Sequence, residues 1–174
     1  MKKIVLLFWV KGGNVERAAR KVYSMFDQDT IDIFDVDSFD VDTIENYDLI
    51  IWGGSTIGAE RWIDTKADNE WNRFFRKIEE HDLSGKQIAF FGLGDQVLYP
   101  DHYVDGLGVF MEEADKVNGI VIGQWPIEGY VFTDSDGMSD GQFFGLALDE
   151  DNQDDLTDER IKKWTDGIKK EAGI

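Results

Sequence analysis

The chain has 174 residues, 36 acidic against 18 basic side chains, a formal net charge of −18, 42% hydrophobic and 13% aromatic residues, and no cysteine. This content is too apolar for a disordered polypeptide and suffices for one domain, expected over 1–174, whose core needs no disulfide or metal. The missing cysteines exclude disulfides, thiolate metal sites, cysteine-held clusters and thiol nucleophiles, so any redox chemistry has to come from a bound cofactor, while the charge disfavours nucleic acid and anionic lipid.

No basic leader precedes the first apolar run and no run approaches the length of a membrane span, so a cytoplasmic location without membrane insertion is expected. Residues 2–9 are nearly all apolar and residues 15–25 repeat apolar side chains at helical spacing. This predicts a strand entering a helix through the turn Trp9-Val10-Lys11-Gly12-Gly13-Asn14-Val15-Glu16. A helix start presents unpaired N–H groups and a partial positive charge, which suit an anion, although any strand-to-helix turn shares that outline.

Residues 30–35 alternate as a second strand nearer a sheet edge, and the acidic stretch 37–46 has room for a short helix. Residues 47–54 form a third strand, apolar on both faces as parallel sheets require, followed by a loop over 55–68. A helix over 69–80, a fourth strand over 87–93, a glycine-bearing loop over 94–102, a helix over 104–117 and a fifth strand over 120–125 follow. The alternation predicts a doubly wound α/β sheet with helices on both faces. It breaks once: 126–141 is rich in glycine and aspartate and 143–148 reads as strand again, so a long excursion within the fifth strand is expected. Thr157 is placed as the cap of a last helix reaching Ala172.

In such sheets a ligand lies beyond the carboxyl ends of the strands, where strand order reverses. Three loops would converge there: the first turn, Ser55-Thr56-Ile57-Gly58-Ala59 after the third strand, and Gly92-Leu93-Gly94-Asp95-Gln96-Val97-Leu98-Tyr99 after the fourth. Asp95 suits hydrogen bonds from a heterocycle and Tyr99 suits stacking; alternatively, Asp95 caps its own turn and Tyr99 packs on its own loop. His81 and His102 read as surface residues, and the acidic run 149–155, without the spacing of a calcium loop, as a solvated turn. Trp52, Trp62, Trp71 and Trp164 read as core, with Trp9 and Trp125 nearer the crevice. No nucleophile elbow or Ser-His-Asp order appears, and catalysis on a substrate is not expected.

The runs Gly92-Leu93-Gly94-Asp95-Gln96…Tyr99-Pro100, Ile127-Glu128-Gly129-Tyr130-Val131-Phe132 and Phe144-Gly145-Leu146-Ala147-Leu148-Asp149-Glu150-Asp151-Asn152-Gln153 resemble the flavodoxins, as does the helix over 156–174. The last run is similar to the end of the long-chain class, in which a loop interrupts the fifth strand, and Thr56-Ile57-Gly58 is similar to nitrogen-fixation-associated members. The resemblance covers essentially the whole chain. It implies a five-stranded parallel sheet of order 2-1-3-4-5 and a monomeric one-electron carrier, not an enzyme, that holds flavin mononucleotide (FMN) noncovalently. Such a carrier passes electrons between a reductase and a low-potential acceptor, partners whose basic faces would suit this acidic chain. By the same resemblance Tyr99 would cover one ring face and Ile57 the other, and the Gly58–Ala59 peptide would flip to bond the reduced ring. Asp95 would meet the pyrimidine end, Ser55, Thr56, Leu93, Gly94 and Gln96 would complete the ring loops, and Asp151 or Asp149 would reach the ribityl chain.

The first loop departs from the family pattern. Flavodoxins usually read Ser/Thr-x-Thr-Gly-x-Thr there, but the aligned residues are Val10, Gly12 and Val15, preceded by Trp9 in place of glycine. Gly13, the backbone and the helix dipole remain, with Lys11 and Asn14 as donors of their own. Each hydrogen bond to a charged group that goes unreplaced costs about 1.5–3 kcal/mol. Two readings follow: a carrier that still holds phosphate in residues 9–15, or a docking protein of the same fold in which Trp9 fills phosphate space and flavin binding is weakened or lost.

Overall fold

The computed structural model describes residues 2–57 and 68–174; Gly58, Ala59 and Trp62 lie outside the described residues. The long apolar runs form strands β1 (Ile4–Phe8), β2 (Ile31–Asp35), β3 (Leu49–Gly54), β4 (Gln87–Leu93) and β5 (Ile120–Ile122) of one parallel sheet, ordered β2-β1-β3-β4-β5. Between and after them run helices α1 (Asn14–Ser24), α2 (Glu70–Ile78), α3 (Gly106–Lys116) and α4 (Thr157–Ala172). The two-residue period of a strand divides the side chains between two cores. Ile4, Leu6 and Phe8 enter the core made with Val15, Ala19 and Val22 of α1 and Ile161, Trp164 and Ile168 of α4. Val5 and Leu7 enter the opposite core with Trp71, Phe74 and Phe75 of α2 and Leu107 and Phe110 of α3. Trp52 anchors this second core, edge-on to Phe74 at 5.8 Å and stacked with Phe90 at 5.6 Å.

The fifth strand is in two pieces. Gln87, Ile88 and Ala89 of β4 pair with Ile120, Val121 and Ile122, and Phe91, Gly92 and Leu93 pair with a later strand, Leu146–Leu148. The intervening residues form a small antiparallel sheet of β6 (Trp125–Pro126), β7 (Met138–Ser139) and β8 (Gln142–Phe143), which makes Leu146–Leu148 strand β9. Two expectations are corrected here. The strand expected over 120–125 stops at Ile122, because Trp125 pairs with Phe143 in the other sheet. The run 143–148 is two strands of different sheets, broken at Gly145, where a Cβ would lie 2.2 Å from the Phe90 carbonyl oxygen.

Phe143 pins the excursion to the body of the protein, with ring centroids 5.2 Å from Tyr130 and from Phe132 and 5.8 Å from Tyr103. Tyr130 donates to the Ala147 carbonyl at 2.7 Å, accepts from Trp125 Nε1 at 2.9 Å, and lies under the Arg160 guanidinium at 4.1 Å. Trp125 is thus a fastener of the excursion. Asn69 caps α2 by accepting from the Asn72 N–H at 2.9 Å. Thr157, expected as a cap, is already inside α4, and its hydroxyl donates to Glu150 instead. His81, expected as solvated, is drawn against Glu45 at 2.9 Å, its side chain only 16% exposed. Among the described residues no helix is long and apolar enough to cross a membrane.

Candidate functional site

Parallel strands end at one edge, and here β1, β3 and β4 deliver their loops to a cavity of about 1060 Å³. Trp9, Val10, Gly13, Asn14 and Val15 line it from the first loop, Ser55, Thr56 and Ile57 from the second, Leu93, Gly94, Asp95 and Tyr99 from the third, and Asp151 from the segment after β9. The second and third loops meet because α3 begins at Gly106, where a Cβ would lie 2.4 Å from the Ser55 carbonyl oxygen. Only glycine permits that approach.

At the first loop Gly13 occupies the N-cap position of α1 and offers no side-chain cap, so among the described residues no side chain accepts from its first-turn amides where the loop borders the cavity. Just before the N-cap, the Gly12 N–H donates to Glu16 Oε2 at 2.7 Å. That bond, followed by the Arg20 guanidinium, holds the Glu16 carboxyl below its usual range. Lys11 and Gly12, both expected to hold an anion, are absent from the cavity wall. Lys11 turns instead to Asp35 at 3.5 Å and lies over the Trp9 ring at 5.4 Å, because β2 brings an opposite charge beside the loop. Asn14 lines the cavity while its Oδ1 accepts from Arg17.

The third loop is braced from below. Asp95 Oδ1 accepts from the N–H groups of Val97 at 3.0 Å and Leu98 at 2.8 Å and from Asn152 Nδ2 at 2.9 Å, so this oxygen caps its own turn while the residue lines the cavity. Burial acts to raise the Asp95 pKa, but these donors outweigh it and the net shift is downward. Gln96, expected at the ligand, is 1% exposed and points away from the cavity. Its Nε2 donates to Asp149 Oδ2 at 2.8 Å and its Oε1 accepts from the Val131 N–H at 2.6 Å, which ties the loop to the excursion. Asp149 is fully buried and accepts from Gln96, Asp151 and Asn152, so of the two candidates for the ribityl chain only Asp151 reaches the cavity. The run read as a solvated turn therefore contains the most enclosed carboxylate of the site. Tyr99 lines the cavity at 42% exposure beside Val97 and Leu98, exposed at 63% and 65%.

The wall also contains His102, read from the sequence as a surface residue, and Asp105 and Asp136, which sequence reasoning passed over. His102 Nδ1 bonds Asp105 Oδ2 at 2.9 Å, and Asp105 Oδ1 accepts from the Asp136 N–H at 2.9 Å. Burial raises the Asp105 pKa against the pull of both bonds. Asp105, just ahead of Gly-Leu-Gly at the start of α3, carried a local helix-start signal; Asp136 carried none, because it arrives by docking of the excursion onto α3, where a Cβ on Gly108 would lie 2.4 Å from its carbonyl oxygen. Glu70, Asp95, Asp105, Glu112, Asp136, Glu150 and Asp151 all line the cavity, with no lysine or arginine among the described lining residues. The described part of the wall is strongly electronegative.

A cavity with aromatic and aliphatic walls at the switch point of a 2-1-3-4-5 sheet defines a ligand-binding doubly wound α/β protein, the arrangement for which flavodoxins are the type example. The chain belongs to the flavodoxin family, whose model matches residues 6–164. It is 38% identical over 175 residues to the flavodoxin of a Picosynechococcus species, with all of both chains covered. It is 34% identical over 170 residues to flavodoxin 1 of Escherichia coli, covering 97% of this chain and 94% of that protein. Among solved structures it is similar to Fusobacterium nucleatum flavodoxin bound to flavin mononucleotide, with a TM-score of 0.85, 29% identity, and 98% of this chain and 99% of that one covered.

Proposed function

We propose that the chain works over 1–174 as one cytoplasmic, monomeric domain that holds FMN noncovalently in this cavity and carries single electrons between a reductase and a low-potential acceptor. The observation that carries the reading is the cavity itself: apolar walls of Trp9, Ile57 and Tyr99 beside an uncapped helix start, at the carboxyl edge of the sheet of a flavodoxin-family chain. Tyr99 and Ile57 would cover the flavin ring and limit water, the ring loops with Asp95 would meet its polar edge, and Asp151 would reach the ribityl chain. The first-turn amides at Gly13, Asn14 and Val15 would take the phosphate, in place of the hydroxyls missing at Val10, Gly12 and Val15. Bound flavin supplies one-electron redox chemistry. The seven carboxylates of the wall oppose any added negative charge there, which favours a low reduction potential. The net charge of −18 attracts basic-faced partners, and exposed Val97 and Leu98 beside Tyr99 offer them an apolar contact.

The alternative of a docking protein without flavin is not favoured, since family membership and the cavity both call for a ligand. The test is an absorption spectrum of the purified protein followed by titration of stripped protein with FMN and riboflavin. Visible flavin bands and saturable binding are expected. Failure to bind either flavin would overturn the reading.

A further inference from the structure

The first loop has lost its three hydroxyls, and the partners of its remaining polar groups determine what it can offer a phosphate. Lys11 is paired with Asp35, Asn14 Oδ1 accepts from Arg17 and leaves the Nδ2 group as that side chain's donor, and the Gly12 N–H is spent on Glu16, a residue of the same loop and helix. The Glu16 carboxylate is held at both oxygens: Oε2 by Gly12 at 2.7 Å, Oε1 by Arg20 at 2.6 and 2.9 Å. An acid in the first turn of a helix draws on the same field that would stabilise a bound anion. Arg20 and Lys11 offset part of the Glu16 charge from outside the cavity, while the wall next to it, at Gly13, Asn14 and Val15, contains no lysine or arginine among the described residues.

We propose that Glu16 is the in-chain anion of this loop: it fills the anion-accepting role at the Gly12 amide from inside the protein, and its charge makes the phosphate of FMN a minor contributor to binding. Building on the flavin assignment, this makes Glu16 a specificity-determining residue that sets the ratio of FMN to riboflavin affinity. Ligand phosphate approaches from the cavity side and Glu16 from the helix side, so the two share one loop and repel. A phosphate carries about −1.5 to −2 charges, and a unit charge several ångström away in a water-like medium changes its affinity about five- to tenfold.

Glu16→Gln separates charge from shape, because the amide oxygen can still accept from Gly12. Dissociation constants for FMN and riboflavin are measured for both proteins. FMN is expected to tighten about five- to tenfold in E16Q with riboflavin unchanged, and the gain to shrink in high salt. An FMN-to-riboflavin ratio that is unchanged or falls in E16Q overturns the proposal. A second measurement needs no flavin: inorganic phosphate is titrated into isotope-labelled protein while the amide signals of residues 12–15 are followed. Tighter phosphate binding by E16Q supports the proposal and equal binding overturns it. Failure of both proteins to bind either flavin would instead count against the flavin assignment, with the phosphate titration still deciding the role of Glu16.

Discussion

Asp149 is the joint on which the ligand-facing loops hang, and replacing it with asparagine tests that claim. The residue is 0% exposed. Its Oδ2 accepts from the Gln96 N–H at 3.2 Å and Gln96 Nε2 at 2.8 Å, while Oδ1 accepts from the N–H groups of Asp151 at 3.2 Å and Asn152 at 3.0 Å. Asn152 Nδ2 bridges to both oxygens at 3.0 Å. In Asp149→Asn one oxygen becomes an NH2 group, and in either orientation it faces two N–H donors that lose their acceptor. At about 1.5–3 kcal/mol for each bond to a charged group, two losses amount to about 3–6 kcal/mol. The Asp151 and Asn152 amides are only partly buried, so the side chain will settle with its NH2 toward them and the loss will fall near the lower end. Urea unfolding followed by far-UV circular dichroism should show an unchanged slope and, at about 1–3 kcal/mol per molar urea, a midpoint lowered by roughly 1–3 M. Flavin titration should show FMN and riboflavin weakened together, since the Gln96 tie to Val131 and the Asn152 tie to Asp95 loosen with the joint. A loss of stability below about 1 kcal/mol, with flavin affinity intact, would refute this reasoning.

Three further outcomes are expected. Gly106→Ala drives a Cβ to within 2.4 Å of the Ser55 carbonyl oxygen, and the overpacking cost of about 1–3 kcal/mol should exceed the gain in helix propensity, lowering both the melting temperature and ring affinity. Its control is Gly167→Ala on α4, where a Cβ meets nothing within 4 Å, and thermal unfolding should show a gain of up to about 1 kcal/mol. Burial raises the Glu113 pKa, only partly opposed by Lys116, and Oε2 is enclosed without a hydrogen-bond partner among the described residues. A raised carboxyl pKa costs stability above that pKa and none once the group is protonated. Glu113→Met should therefore gain about 1 kcal/mol in chemical unfolding at neutral pH, a gain that disappears in acid. Because the cavity wall is acidic, FMN should bind more tightly as salt is raised, and an affinity that falls with salt would contradict the charge distribution described.

Strands β1, β3 and β4 were legible because a parallel sheet covered on both faces demands uninterrupted apolar runs, and 47–54 and 87–93 contain little else, while β2 showed by the alternation of an edge strand. The fifth was not, because the hydrophobicity of 120–125 and 143–148 says nothing about which neighbour each residue pairs with, and β4 chooses only part of each run. The site followed the same division. Sheet topology sends the three loops to one crevice, and Trp9, Ile57, Asp95 and Tyr99 of those loops line it. Lys11 was assigned to the ligand as a donor, and Gln96 and, as an alternative to Asp151, Asp149 by family resemblance, yet each is claimed by a partner far away in the chain: Asp35, Val131 and Gln96. A residue type announces what it can bond to, and tertiary packing decides whether that capacity is already used.

The divided fifth strand has a consequence for how the protein breathes. Detaching the excursion along with β9 would unzip Phe91, Gly92 and Leu93 while Gln87, Ile88 and Ala89 stayed zipped to β5. Amide hydrogens on the β4–β9 seam should therefore exchange with solvent as a group separate from those on the β4–β5 seam. That seam leads directly into Gly94 and Asp95 on one side and Asp149 and Asp151 on the other, so a ligand touching both sides would rivet the two together.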